Sequence, residues 1–243
     1  MFSMNRFSAI LYKELHDFGK NKNILIMALM PIGFGWIYSR IFLGEGKANM
    51  NDTLQILNLV VGMSFIMTSL FSLGMAIAEE KEKKTMRTLL LSGVTPLEFF
   101  FGKAFPVIVS SILINIALFF MMGLDMTYFA TYLAVSSLIV LVMTIFGAVL
   151  GIISPNQMTT GVYGMPMMLL FFLLPMLAIM DDSFQIFADI VPTNMLNLIL
   201  QIQINNPNPD VWLIASKYLI ILGWFLLSLI VFTIAYRKVG IDR

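Results

Sequence analysis

No cysteine occurs among the 243 residues, which excludes disulfides, thiol nucleophiles and Cys-ligated metals. A single histidine, His16, leaves almost no room for a His-based metal or acid–base site. Charge is scarce as well. Asp, Glu, Lys and Arg make up 12% of the chain, against ~25% in an ordinary soluble domain. So little charge cannot cover a soluble surface of this size, and a free cytosolic enzyme is excluded. A phosphate-binding loop of the form G-x-x-x-x-G-K-[ST] is also missing. The Gly-Lys pairs are Gly19-Lys20, Gly46-Lys47 and Gly102-Lys103, and none is followed by Ser or Thr. The net charge of +1 points to no nucleic-acid partner.

Apolar residues are in excess, at 59% of the chain with a mean hydropathy of +0.88. That excludes disorder and places the chain among integral membrane proteins. A bilayer core of ~30 Å takes ~20 apolar residues as helix. Six such runs occur, at Ile24–Leu43, Leu54–Ala78, Pro106–Gly123, Met126–Ile153, Gly161–Met180 and Leu213–Tyr236. The alternation of a β-barrel is absent, so the expected fold is all-α, a single transmembrane domain over residues 1–243. The first run is long and lacks a small-residue cleavage site, so it is expected to be a retained span. Twelve basic residues fall before span 1, between spans 2 and 3, and after span 6; three fall on the other side. The positive-inside rule then predicts that both termini are cytoplasmic. No internal repeat is detectable.

Three segments outside the apolar runs carry pattern. Residues 1–22 contain an amphipathic stretch: Phe7, Ile10, Leu11, Leu15 and Phe18 share one helical arc, interrupted by Glu14. This predicts a helix lying on the inner membrane surface. Residues 79–103 read EEKEKKTMRTLLLSGVTPLEFFFGK. Glu79–Lys83 and Glu80–Lys84 are acid-first i,i+4 pairs. Gly93 suits a helix stop. Thr95, Pro96 and Glu98 form a capping box with proline at the first helical position, and Val94 with Phe99 a hydrophobic staple. The expectation is two short helices with a bend at Ser92–Thr95. A solvated loop would explain the charges, but not the two caps or the run Leu89-Leu90-Leu91. Residues 181–212 are acidic and broken at Pro192, with Asn194, Asn197 and Gln201 on one helical face. They predict outer helices re-entering the membrane, with a plain extracellular loop as the alternative.

The span interiors hold no buried acid for a proton relay. Asn58 and Asn115 are their notable polar residues. Gly147 and Gly151 make a GxxxG pair, fit for close packing within the chain or between protomers. Pro31 and Pro175 predict kinks.

Together these features resemble the membrane subunit, or permease, of type-2 ATP-binding-cassette (ABC) transporters. Its most specific part is Ala78–Lys103, with its Glu-Lys-Glu-Lys start, Thr-Leu-Leu-Leu-Ser centre, and Pro-Leu-Glu before Gly-Lys. In that family this is the coupling-helix region that docks on the ATPase subunit. Val191-Pro192-Thr193 looks like the family's re-entrant outer hairpin. The N-terminal helix with Lys13-Glu14-Leu15 fits as well. Lys83-Lys84 departs from the family, which often has Lys-Gly there.

The resemblance implies two permease subunits, identical or paralogous, in membrane lipid, each resting on a separate ATPase that binds ATP and Mg. This chain would hold no cofactor and no catalytic residue. The docking residues would be Glu80, Glu82, Lys83, Arg87 and Leu90, with Gly93 and Pro96 shaping the bend, and the outer segment would centre on Pro192, Asn194, Asn197 and Gln201. The chain looks most like the branch exporting drugs, peptides or natural products from the cytoplasmic membrane of a bacterium. A lipid-linked glycan export permease and a non-transporting immunity or sensory protein are the alternatives.

Overall fold

The computed structural model describes residues 4–43, 49–86, 93–206 and 208–239. Among them every regular element is helical. Helix α1 spans Met4–Phe18. Six helices are long and apolar enough to cross a membrane: α2 (Lys22–Ile41), α3 (Met50–Glu82), α4 (Pro96–Met121), α5 (Met126–Ile153), α6 (Gln157–Met180) and α9 (Val211–Lys238). Two shorter helices, α7 (Gln185–Ala188) and α8 (Met195–Asn205), lie between α6 and α9.

The six apolar runs are the cores of these helices, but the helices overrun them. The reason is capping chemistry. Thr95 accepts from the Glu98 N–H and the Glu98 carboxylate accepts from the Thr95 N–H. This starts α4 ten residues before the apolar run, so the expected second short helix is the first turns of span 3. Pro106, the expected start of that span, lies inside the helix. Asn156 caps α6 in the same way through Thr159.

Helices α3 and α5 form the centre of the bundle, and α6 and α9 its periphery. In lipid an exposed leucine costs nothing, so helices associate by close packing and hydrogen bonding. Glycine provides the closeness. A Cβ on Gly147 would lie 2.5 Å from the Leu70 carbonyl oxygen, and one on Gly151 would lie 2.9 Å from that of Gly74. The GxxxG pair therefore packs α5 on α3 within the chain. Opposite Gly147, α3 loosens into a π-helical stretch over Phe65–Phe71. Hydroxyls serve this stretch: Ser72 donates to the Met67 carbonyl, while Thr68 and Ser69 donate to Ser111 of α4. One turn further, the Asn115 amide is fully buried and finds no side-chain partner among the described residues.

At the end of the bundle away from α1, residues 181–206 fold back against the long helices. α8 buries Met195, Leu196, Ile199 and Leu200. Trp224 of α9 donates to the Ile190 carbonyl at 2.7 Å, and Asn58 of α3 donates to Asn194 at 3.5 Å.

Candidate functional site

The basic end of the bundle gathers its polar chemistry at the foot of α3. Successive residues of an α-helix point ~100° apart, so four in a row face almost every direction. Glu79, Glu80, Lys81 and Glu82 each engage a different neighbour.

The Glu79 carboxylate accepts from the Asn21 amide at 2.7 Å, and Asn21 is itself the N-cap of α2. It also accepts from Lys83 at 2.6 Å, the expected i,i+4 pair. The matching pair Glu80–Lys84 does not form. Glu80 turns inward, only 8% exposed. It accepts from Lys13 at 2.7 Å, Lys103 at 3.2 Å and the Thr85 hydroxyl. Lys84 leaves the helix with φ +59°, the left-handed conformation that glycine adopts freely.

Lys103 of α4, 4% exposed, completes a buried network by donating to both carboxylate oxygens of Glu14 at 2.8 and 2.9 Å. The interruption of α1's apolar arc thus has a cause: Glu14 faces inward toward Lys103. One turn earlier Ile10 packs on Gly102, where a Cβ would come within 2.5 Å of its methyl. Burial is the largest single influence on Lys13 and opposes its charge, but its bond to Glu80 and the charges of Glu80, Glu14 and Asp17 together outweigh it and raise its pKa above the ordinary lysine value.

Lys81 and Glu82 face the three-residue turn joining α5 to α6. The Lys81 ammonium donates to the carbonyls of Ile152 and Ser154 at 2.5 and 2.8 Å. The Glu82 carboxylate accepts from the Gln157 N–H at 3.1 Å. A cation thus meets the C-terminal end of α5 and an anion the N-terminal end of α6, each matching the helix dipole.

Arg6 of α1 donates to the Gly93 carbonyl and lies 3.6 Å from Glu98. Gly93 has φ +87°, and Pro96 takes the first helical position of α4. Between α1, α2, α3 and α4 lies a cleft of ≈ 530 Å³ lined by acids and lysines alike.

Of the residues expected to dock a partner, Glu82 and Lys83 are exposed, Glu80 is committed inside the chain, and Arg87 and Leu90 lie outside the described residues. Of the outer set, Pro192 and Asn194 are buried, while Asn197 and Gln201 are half-buried and share a hydrogen bond at 3.4 Å. Sequence reasoning missed Lys13, Glu14 and Lys103 as members of one network around Glu80, and Lys81 as a partner of the α5–α6 turn. An acid inside an apolar arc was the one available signal.

Six long apolar helices in one bundle make this a multi-pass membrane protein. A family model described as ABC-2 family transporter protein matches residues 41–235. The chain belongs to that family of membrane permeases, whose members work with an ATPase subunit. The match takes in the foot of α3, Lys103, the α5–α6 turn and the outer segment; α1 lies before it. No curated protein matches the chain.

Proposed function

We propose that this chain is the membrane-spanning subunit of an ATP-driven exporter, in which ATP hydrolysis occurs on a separate partner subunit docked on residues 79–103. The observation that carries this reading is the foot of α3. Four consecutive residues there bond to α1, α2, α4, α5 and α6, so a displacement of the coupling segment reaches most of the bundle. Two permease subunits enclose the pathway, with both termini and the coupling segment in the cytoplasm, a reading supported by the distribution of basic residues. No charged side chain is available midway along the spans to greet an ion, so the substrate is hydrophobic or amphipathic: a peptide, drug or natural product.

The test is purification of the chain from its native membrane in mild detergent. An ATP-hydrolysing P-loop subunit should co-purify, and replacing Arg87 and Lys83 by Glu should release it without loss of the permease. A permease that elutes alone, with no ATPase activity on adding candidate subunits, would support an immunity or sensory protein instead.

A further inference from the structure

Lys81 is not part of the exposed face offered to a partner. Its aliphatic stem is half-buried, and its ammonium is spent on two carbonyls of another helix end. The Ile152 carbonyl lies in the last turn of α5 and that of Ser154 on its C-cap, where no intrahelical donors are left to satisfy them. The neighbouring Glu82 takes the opposite role at the first N–H of α6. The turn between these helix ends is only residues 154–156, so both are within reach of adjacent side chains. Charge-assisted hydrogen bonds of this kind are roughly twice as strong as neutral ones.

A second, independent observation joins the same three helices. Above this clamp the contacts are made by glycine. A Cβ on Gly151 of α5 would strike Ile77 of α3 at 2.6 Å, and one on Gly164 of α6 would strike the Phe71 ring of α3 at 2.3 Å. A Cβ on Gly74 of α3 would meet Leu150 and Thr160 at 3.1 and 3.2 Å. Surfaces packed this closely cannot slide without clashing.

We infer that α3, α5 and α6 move as one body when the coupling segment is displaced, and that Lys81 is the positioning residue that locks the α5–α6 turn to the foot of α3. This rests on the exporter reading above and adds the route by which movement reaches spans 4 and 5. Breaking the lock leaves the partner docked and hydrolysing ATP while span 5 no longer follows.

The absence of cysteine from this chain favours the test, because introduced cysteines are its only labelling sites and the permease can be labelled before the ATPase is added back. Spin labels are placed at Met158→Cys, in the first turn of α6, and Trp212→Cys, in the first turn of α9 at the opposite end of the bundle; both positions are exposed. The complex with its co-purified ATPase is compared without nucleotide and trapped with MgATP and vanadate. The expected result is a distance shift in the parent that is lost in Lys81→Met, with ATP hydrolysis retained, and restored in Lys81→Arg. Monodisperse elution of each variant separates this from misfolding. Should Lys81→Met prove unstable, Lys81→Gln, which keeps a donor but loses the charge, is expected to shrink the same shift with ATP hydrolysis retained. A full shift in Lys81→Met, or an active parent complex with no shift, overturns the proposal. If no ATPase accompanies the parent chain, the exporter reading itself fails, and the two failures are distinct.

Discussion

The hydroxyl of Thr193 donates to the backbone carbonyl of Phe171, an acceptor that Pro175 cannot serve. In a regular helix that carbonyl would take the N–H four residues on, and proline has none. The ladder of α6 passes into a π-helical stretch over Leu169–Leu173, and the outer segment supplies the donor from a side chain. Span 5 and the segment that begins at Pro192 are thus tied where the helix is weakest.

Removing that donor is expected to destabilise the protein by ~1–3 kcal/mol, the cost of a buried acceptor left unpaired. Thermal unfolding of purified Thr193→Val in detergent measures it. The decisive comparison is the double-mutant cycle with Pro175→Ala. Alanine restores a backbone N–H, so Thr193→Val should cost much less in that background. Equal costs in both backgrounds would show that Pro175 is not the reason for the bond.

Lys84 occupies a left-handed position at the end of α3, the conformation that glycine adopts freely. A side chain there costs ~1–2 kcal/mol, partly offset by the flexibility that glycine adds to the unfolded chain. Lys84→Gly is therefore expected to raise stability by about 1 kcal/mol, and Lys84→Val to lower it. A glycine variant no more stable than the parent would mean the turn carries no such cost.

The buried Lys103 separates two carboxylates, those of Glu14 and Glu80. Lys103→Met removes the buried cation, leaving them only Lys13, 2.7 Å from Glu80 and 3.5 Å from Glu14, and is expected to cost ~3–5 kcal/mol. Adding Glu14→Gln removes one of the two charges and should recover part of the loss. Urea or thermal unfolding of the four proteins in the cycle reads the coupling. Additive losses would show that α1 and α4 are not held through this contact.

The long apolar helices were legible because length and hydropathy alone decide whether a helix can cross a bilayer. The capping box at Thr95 was legible too, since a Thr–Pro–x–Glu cap is satisfied within one turn of chain; the expected bend that begins at Ser92 lies partly outside the described residues. What escaped was every partner chosen across distance. Glu79–Lys83 forms as local spacing suggests, yet Glu80 abandons the equivalent pair because two lysines from other helices reach it once the bundle is assembled. The spacing of Gly147 and Gly151 likewise announced close packing without saying against what, and the answer, the π-helical part of α3, is a tertiary fact. Lys81 read as one more positive-inside charge, because the carbonyls it serves lie more than seventy residues away in sequence.

The network at the foot of α3 also has a pH signature. Partial burial of Lys13 opposes its charge, but its bond to Glu80 and the nearby carboxylates together raise its pKa above the ordinary value. A group whose pKa is raised by folding contributes stability that is complete below its unfolded pKa, about 10.4 for lysine. That contribution fades as pH rises through the folded value. The stability difference between the parent and Lys13→Met should therefore be constant from neutral pH to about pH 10 and shrink above it. Unfolding measured in detergent across that range tests this. A difference that instead vanished on acidification, while staying flat in alkali, would place the responsible titration on the carboxylates rather than on the lysine.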